Sequence, residues 1–415
     1  MLDIQFIRDN PDKVKENNKI RKCKVSVDEI LDLDEKRRAL ISEIDAKRAE
    51  LKSSSKKKPS KEEIEKLRAL GDEIKKQEEK LAPIESSLND LLIQLPNITH
   101  KSVPEGKDES GNVVSKTIGK KPKFDFEIKD HADLGSALDI IDTERGAKVS
   151  GSRFWYLKGD LVMLEFAIIQ YAMNFMREKG FIPMLPPMLV RERAMLGTGF
   201  FPAEKNEIYK VNADEDDLYL VGTAEVPLAS YHADEVIDVK DEPIKYFGFS
   251  SCFRREAGTY GKDMKGILRG HQFDKVEMFV FCAEEQSWDM HEEILKIAEE
   301  FWQSLGIPYH VLNMCSGDIG SPNAKKYDIE GWFPGQNKYR ELASCSNDTD
   351  FQARRLNIKY KDADGKSKLV HTLNNTVCAL GRTMIAIMEN YQQKDGTIEI
   401  PEVLRKFMGG KERIE

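Results

Sequence analysis

Between Leu67 and Leu95 an apolar residue recurs every three or four positions. The series is Leu67, Leu70, Ile74, Leu81, Ile84, Leu88, Leu91 and Leu95, with Gln77 its one polar occupant. A shorter stripe precedes it through Ile30, Leu33, Leu40, Ile44 and Leu51, interrupted by Arg37 and Lys47. A repeat sustained this long exceeds what a helix lying on a globular core needs, and predicts a coiled coil. The stripes are separated by "SSSKKKPS", where three serines and Pro59 break the helix and Ser60 with Glu63 forms a capping box. One stripe returning on the other through a turn is an antiparallel hairpin. It forms an arm over about 28–95 with its tip at about 52–60. At 1.5 Å per residue, each limb of ~30 residues projects roughly 45 Å. Pro83 falls inside the returning helix and is expected to kink it.

The tip is basic. Lys47 to Lys61 holds seven Lys or Arg against one acid, although the whole chain carries a net charge of −8. Residues 1–100 balance 22 Lys and Arg against 21 Asp and Glu, and the remaining 315 carry 42 against 51. A lysine-rich end on a projecting rod suits a phosphate backbone, which is bound by counterion release without a sequence code. The same rod could equally be a dimerisation element with a solvated end.

Past Leu95 the repeat gives way to "PNITHKSVPEGKDESGN", rich in Pro, Gly and charge, which reads as a linker. The chain thus divides into an N-terminal domain (1–100), a linker (101–115) and a larger domain (116–415). In the larger domain "FIPMLPPMLV", "DLYLVGTAE", "IKYFGFSSCF", "KVEMFVFC", "PYHVLNMC", "YRELASCS" and "LVHTLN" read as strands. "DLVMLEFAIIQYAMNFMREKG" and "TVCALGRTMIAIMENYQ" read as helices. Many strands are hairpin-linked, so the fold class is α+β, a mostly antiparallel sheet flanked by helices. No GxGxxG or GxxxxGK[ST] follows a strand, which excludes Rossmann and P-loop sites. No apolar run reaches the roughly 18 residues of a membrane span, and the charged start does not resemble a signal peptide. The six cysteines form no CxxC pair, as expected of reduced thiols in a cytoplasmic protein without a zinc cluster.

Between two of these strands lies "RREAGTYGKDMKGILRGHQFD", a hairpin whose loop runs from about Gly258 to Gly266. Arginines at its root suit a compact polyanion, because a planar guanidinium matches phosphate oxygens in pairs. Arg254 and Arg269 bracket the hairpin, and Phe273 offers an aromatic face. Glu225 and Glu277 stand in strand-like apolar surroundings. Arg382 heads an otherwise apolar helix, where a charge needs an anion or a π-face. Each alone is more often a structural salt bridge. Together they describe a site for a zwitterion beside a polyphosphate.

With these motifs in order, the chain resembles a seryl-tRNA synthetase of the bacterial type, a class II aminoacyl-tRNA synthetase. "GFIPMLPP" is similar to the first class II motif, "FRREAGTYGKDMKGILRGHQF" to the second and "LNNTVCALGRTMIAIMENYQ" to the third. "SGSRFWYLKGDLVMLE", "VGTAE", "DKVEMF" and "ELASCSN" also match the family, as does the arm followed by "LPNI". The resemblance covers nearly the whole chain.

It implies activation of L-serine by ATP to seryl-adenylate, then transfer to tRNA(Ser), with tRNA(Sec) a further candidate acceptor. It also implies Mg²⁺, a homodimer through the catalytic domain with contacts near Pro187, a cytoplasmic setting and no membrane partner. Catalytic roles fall to Arg254, Arg269 and Arg382. Serine would meet Thr223, Ala224, Glu225, Arg254, Glu277 and Thr376. ATP would meet Arg254, Arg255, Glu256, Arg269, Gly270, Phe273, Glu341, Leu342, Ala343, Ser344 and Arg382, with Glu341 and Ser344 as metal ligands. Four features depart from the family pattern: Arg255, where serine is common; Lys265, where arginine is usual; Gly270, where a larger residue stands; and "NNTVCALGR" in place of a glycine-serine-glycine run. Thr376 keeps a hydroxyl there.

Overall fold

The computed structural model describes residues 1–54, 61–257 and 265–415. The expected basic tip, including Lys56, Lys57 and Lys58 and the Ser60 cap, lies outside them, as does most of the Gly258–Gly266 loop. Contacts divide the chain into two units, Met1–Ile98 and Thr99–Glu415.

In the first unit, helices α1 (Ile4–Asp9) and α2 (Pro11–Ile20) precede two long helices, α3 (Val27–Ser54) and α4 (Lys61–Leu92). The stripe positions face inward: Ile30, Ile44, Ile74, Leu88 and Leu95 are buried and Leu67, Leu70 and Leu81 half-buried. Its polar interruptions are cross-links. Lys47 bonds Glu73 at 2.8 Å and Gln77 donates to Glu43 at 2.6 Å, an antiparallel register. Such exposed pairs contribute little stability each, but they oppose slippage of the apolar seam. Arg37 pairs with the buried Asp34, which also accepts from Arg8 and Arg38. At its base the arm is anchored by a small core of Leu2, Ile7, Val14, Val27, Ile30, Leu88, Leu92 and Leu95. Pro83 lies inside α4 without ending it.

The second unit is built on eight strands: β1 (Val113–Ile118), β2 (Ile182–Met184), β3 (Ile244–Phe253), β4 (Gln272–Cys282), β5 (Tyr309–Asn313), β6 (Lys325–Phe333), β7 (Lys338–Thr349) and β8 (His371–Ala379). Their spatial order is β1-β5-β6-β7-β8-β4-β3-β2, antiparallel throughout except for the parallel pair β2 and β3. The helices that matter to the site are α5 (His131–Ala137), α6 (Asp160–Glu178), α7 (Glu225–Ser230), α8 (Ser287–Ser304) and α9 (Leu380–Asn390). Alternation along β4 organises the interior. Val276, Met278, Val280 and Cys282 enter the main core with side chains of α6, α8 and α9. Phe279 and Phe281, on the opposite face, enter a second core with Ala224 and Leu228.

Several expectations are corrected here. The supposed linker packs into the second unit: β1 begins inside it, Ser316 donates to Pro104 at 2.9 Å, and a Cβ on Gly106 would lie 2.5 Å from the Cys315 sulfur. "FIPMLPPMLV" splits into β2 and a separate strand, Leu189–Val190, because Pro186 and Pro187 cannot donate to a ladder. "DLYLVGTAE" is a strand only over Leu218–Leu220, and Glu225 opens α7 rather than sitting in a strand. The helix read from "TVCALGRTMIAIMENYQ" begins at Leu380, since Thr376 to Ala379 complete β8. The inner strand β6 carries Lys325, Lys326, Asp328 and Glu330, charges that mask its alternation.

Candidate active site

A cleft of about 220 Å³ opens over one face of the sheet. Side chains two apart on a strand share a face, so β4 contributes Phe273, Lys275 and Glu277 to its floor, and β8 contributes Asn374 and Thr376. Thr376 stands opposite Glu277 in the ladder. Two β-bulges extend the set. Leu342 is an extra residue on β7 and Val377 one on β8. Residues three apart would otherwise point to opposite faces; the bulges bring Glu341 and Ser344, and likewise Thr376 and Ala379, into the same cleft.

One end is rich in carboxylates. Glu277 is buried, and its Oε2 accepts from the Thr223 and Thr376 hydroxyls at 3.3 Å each and from the Lys275 ammonium. Thr223 also accepts from the backbone N–H of Glu225 at 3.3 Å, tying the turn before α7 to β4. Gln352 donates to Glu225 at 2.8 Å. Burial, with the nearby charges of Asp348 and Glu277, raises Glu225 to a pKa of about 8. Asp348 is raised to about 7 by burial; it accepts from Asn323 at 2.6 Å and Asn374 at 3.2 Å. The arrangement is prepared for an ammonium group, which would let these carboxyls ionise.

The other end is cationic and aromatic. Arg254 donates from Nε to the Gly222 carbonyl at 3.2 Å, and its guanidinium lies 5.5 Å from the Phe273 ring centre. Arg269 pairs with Glu256 at 2.8 Å. Glu256 has φ +52°, a left-handed conformation costly for a residue with a Cβ. That pair, with Arg153 donating to the Glu256 carbonyl at 3.2 Å, offsets the cost. Arg382, third residue of α9, donates to the Glu341 carbonyl at 2.7 Å and its carboxylate at 3.2 Å. Burial would raise Glu341, but Arg382, Lys326 and Arg254 outweigh it and hold the group at about 2. Asp328 is raised to about 7 by burial, with Lys326 3.1 Å away opposing.

Thr223, Glu225, Arg254, Glu256, Arg269, Gly270, Phe273, Glu277, Glu341, Leu342, Ser344, Thr376 and Arg382 are thus brought together as expected. Three expected residues are not. The side chains of Ala224 and Ala343 lie in the two cores, and Arg255 is exposed, its N–H bonded to the Glu207 carbonyl at 2.8 Å. Sequence reasoning missed Trp155, Lys275, Lys326 and Asn374. Lys275 and Asn374 were findable by period two from Glu277 and Thr376; Trp155 and Lys326 come from distant segments. Trp155 also explains Gly270, where an added Cβ would lie 2.1 Å from the indole. Lys265 is paired with Asp130 at 2.9 Å and Asp133 at 2.8 Å at the start of α5.

Among the described residues no group of three His, Cys, Asp or Glu side chains is arranged to hold a metal. The ionised Glu341 and the Ser344 hydroxyl, on one face through the Leu342 bulge, fit a hard cation that takes its other oxygens from phosphate and water.

Comparison with known proteins gives consistent results. The family model described as "Seryl-tRNA synthetase N-terminal domain" matches residues 1–99, and that described as "tRNA synthetase class II core domain (G, H, P, S and T)" matches 209–391. A serine–tRNA ligase of Treponema denticola is 45% identical over 419 residues, 99% of each chain. That of Pyrococcus horikoshii is 46% identical over 447 residues, 100% of this chain and 98% of the relative. The crystal structure of seryl-tRNA synthetase from Pyrococcus horikoshii complexed with ATP superposes with a TM-score of 0.93 at 45% identity, covering 100% of this chain and 99% of the other. The cytoplasmic serine–tRNA ligase of Naegleria fowleri in complex with AMP gives 0.90 at 37% identity, with the same coverage.

Proposed function

The chain belongs to the seryl-tRNA synthetase family of class II ligases, and we propose that its cleft converts L-serine and ATP to seryl-adenylate and passes serine to the 3′ end of tRNA(Ser). The observation that carries this reading is one sheet face bearing a carboxylate pocket at one end and a cationic, aromatic-walled pocket at the other. In the first step the serine carboxylate attacks the α-phosphorus and pyrophosphate leaves. A carboxylate with a reference pKa near 3.5 is already ionised, so no general base is needed. Catalysis is positioning and charge neutralisation.

Arg254 bridges the serine carboxylate and the α-phosphate. Arg269 exchanges Glu256 for the rest of the triphosphate, leaving the Glu256 carboxylate for the adenine edge. Adenine lies between Phe273 and the Arg382 guanidinium, which Glu341 holds in place. Glu225 and Thr223 take the serine ammonium; Glu277 and Thr376 take the hydroxyl. Ala224, Arg255 and Ala343 would contribute through backbone groups alone. Mg²⁺ on Glu341 and Ser344 would neutralise phosphate charge. A site built to hydrogen-bond a hydroxyl rejects the analogue lacking it by about 10⁴ or more, so alanine is excluded.

Two further assignments belong to this reading. The arm, with its lysine-rich tip, binds the tRNA backbone. A second copy of the chain covers the apolar surface near Pro187, where Met163, Phe166, Ile182, Leu185 and Met188 are exposed, Leu185 by 83%. No helix among the described residues is long and apolar enough to cross a membrane. ATP–pyrophosphate exchange with each amino acid, followed by charging of bulk tRNA, tests the function. Exchange dependent on an amino acid other than serine would overturn it.

A further inference from the structure

Adenylate chemistry does not call for Lys275, yet its side chain lies in the serine end of the cleft. The residue is only 7% exposed, it stands two positions before Glu277 on the same face of β4, and its ammonium is bonded to Glu277 Oε2. With the Thr223 and Thr376 hydroxyls on that same atom, Oε2 is saturated. Glu277 Oε1 has no bond to any described residue, and it is the oxygen left for a substrate group. A bare buried carboxylate is a poor reader of a hydroxyl, because it attracts a cation more strongly than a neutral donor. Serine has an isostere that exploits this: L-2,3-diaminopropionate, with an ammonium where serine has its hydroxyl. Shape cannot separate molecules of equal size; charge can.

We propose that Lys275 is a specificity residue, which neutralises Glu277 so that the pocket accepts a β-hydroxyl and refuses a β-ammonium. The assignment rests on the reading of this pocket as the serine site. The substrate's α-ammonium is left to Glu225, which lines the same cleft as the Lys275–Glu277 pair. A second ammonium at the β position would lie against the Lys275 charge with no uncompensated carboxylate to meet it.

The test is ATP–pyrophosphate exchange by the full chain with L-serine and with L-2,3-diaminopropionate, comparing kcat/KM for the two. Lys275→Met should shift the serine-to-diaminopropionate ratio at least tenfold toward the diamine, and Lys275→Arg should keep the parent ratio. Lys275→Gln removes the charge while keeping a polar donor on a side chain one atom shorter, so it gives the same shift if the methionine variant does not fold. A lysine that merely supports the fold would depress both substrates alike. An unchanged ratio in folded Met and Gln variants overturns the proposal while leaving the serine reading intact. Absence of serine-dependent exchange in the parent overturns the serine reading itself.

Discussion

Burial beside Asp348 and Glu277 raises the Glu225 carboxyl from its ordinary 4.5 to about 8, so at pH 7 it carries a proton. An arriving ammonium favours the ionised form, and serine binding at pH 7 should therefore expel a proton. Calorimetry in buffers of different ionisation enthalpy should read the release of about one proton or more per serine bound, and Glu225→Gln should reduce it to the share that Asp348 releases. Binding heats independent of buffer would refute the assignment. The sign also governs stability. With a folded pKa above the unfolded value, the contribution of the bound proton is complete below about 4.5 and is lost as pH climbs through about 8. Apo melting temperature should accordingly fall less between pH 5 and 8 in the Gln variant than in the parent. A second residue-scale prediction concerns Gly270. Its Cα carries no Cβ because Trp155 occupies the space. Gly270→Ala should displace the indole from the cleft, destabilise the fold by about 1–3 kcal/mol through overpacking, and weaken ATP binding. Trp155→Leu in the same chain should recover part of that loss. If the double variant is no better than the single, the indole is not what excludes a side chain there.

The arm joins a projecting coiled coil to a packed base. Ile30, Leu88, Leu92 and Leu95 belong to the base core with Leu2, Ile7 and Val14, so removing the whole arm would also unfold its support. Replacing residues 40–80 by a short Gly-Ser turn spares that core. The expected result is serine-dependent exchange within about twofold of the parent and loss of tRNA charging, because phosphate contacts on the arm serve RNA and not ATP. Parallel loss of both activities in a folded variant would make the arm part of the activation site. The cross-links Lys47–Glu73 and Gln77–Glu43 set the register of the two helices. In the sheet, the comparable elements are the bulges at Leu342 and Val377, which set what the cleft contains.

At the scale of the molecule, α6 carries one apolar stripe inward, through Leu161, Leu164, Ile168 and Ala172, and part of another outward, with Met163 and Phe166 exposed. Phe166→Asp together with Leu185→Asp should convert a sedimenting dimer to a single chain without unfolding it, since neither side chain lies in a core. A parent that already sediments as one chain would refute the homodimer. The sequence alone was enough for the arm and the antiparallel sheet, which rest on local periodicity, and for Arg254, Arg269, Phe273, Glu225, Glu277 and Arg382, charges and an aromatic whose burial demands a partner; Thr223, Glu256, Gly270, Glu341, Leu342, Ser344 and Thr376 were implied only by the family resemblance. It could not show that Ala224 and Ala343 turn into the cores, nor that Trp155 fills the space over Gly270, nor that Lys275 caps Glu277. It also concealed β6, whose charges hide its alternation, and the two bulges. A bulge is a register shift against a neighbouring strand; it exists only once both strands are paired, and a side chain's face beyond it follows from that pairing rather than from its own position in the chain.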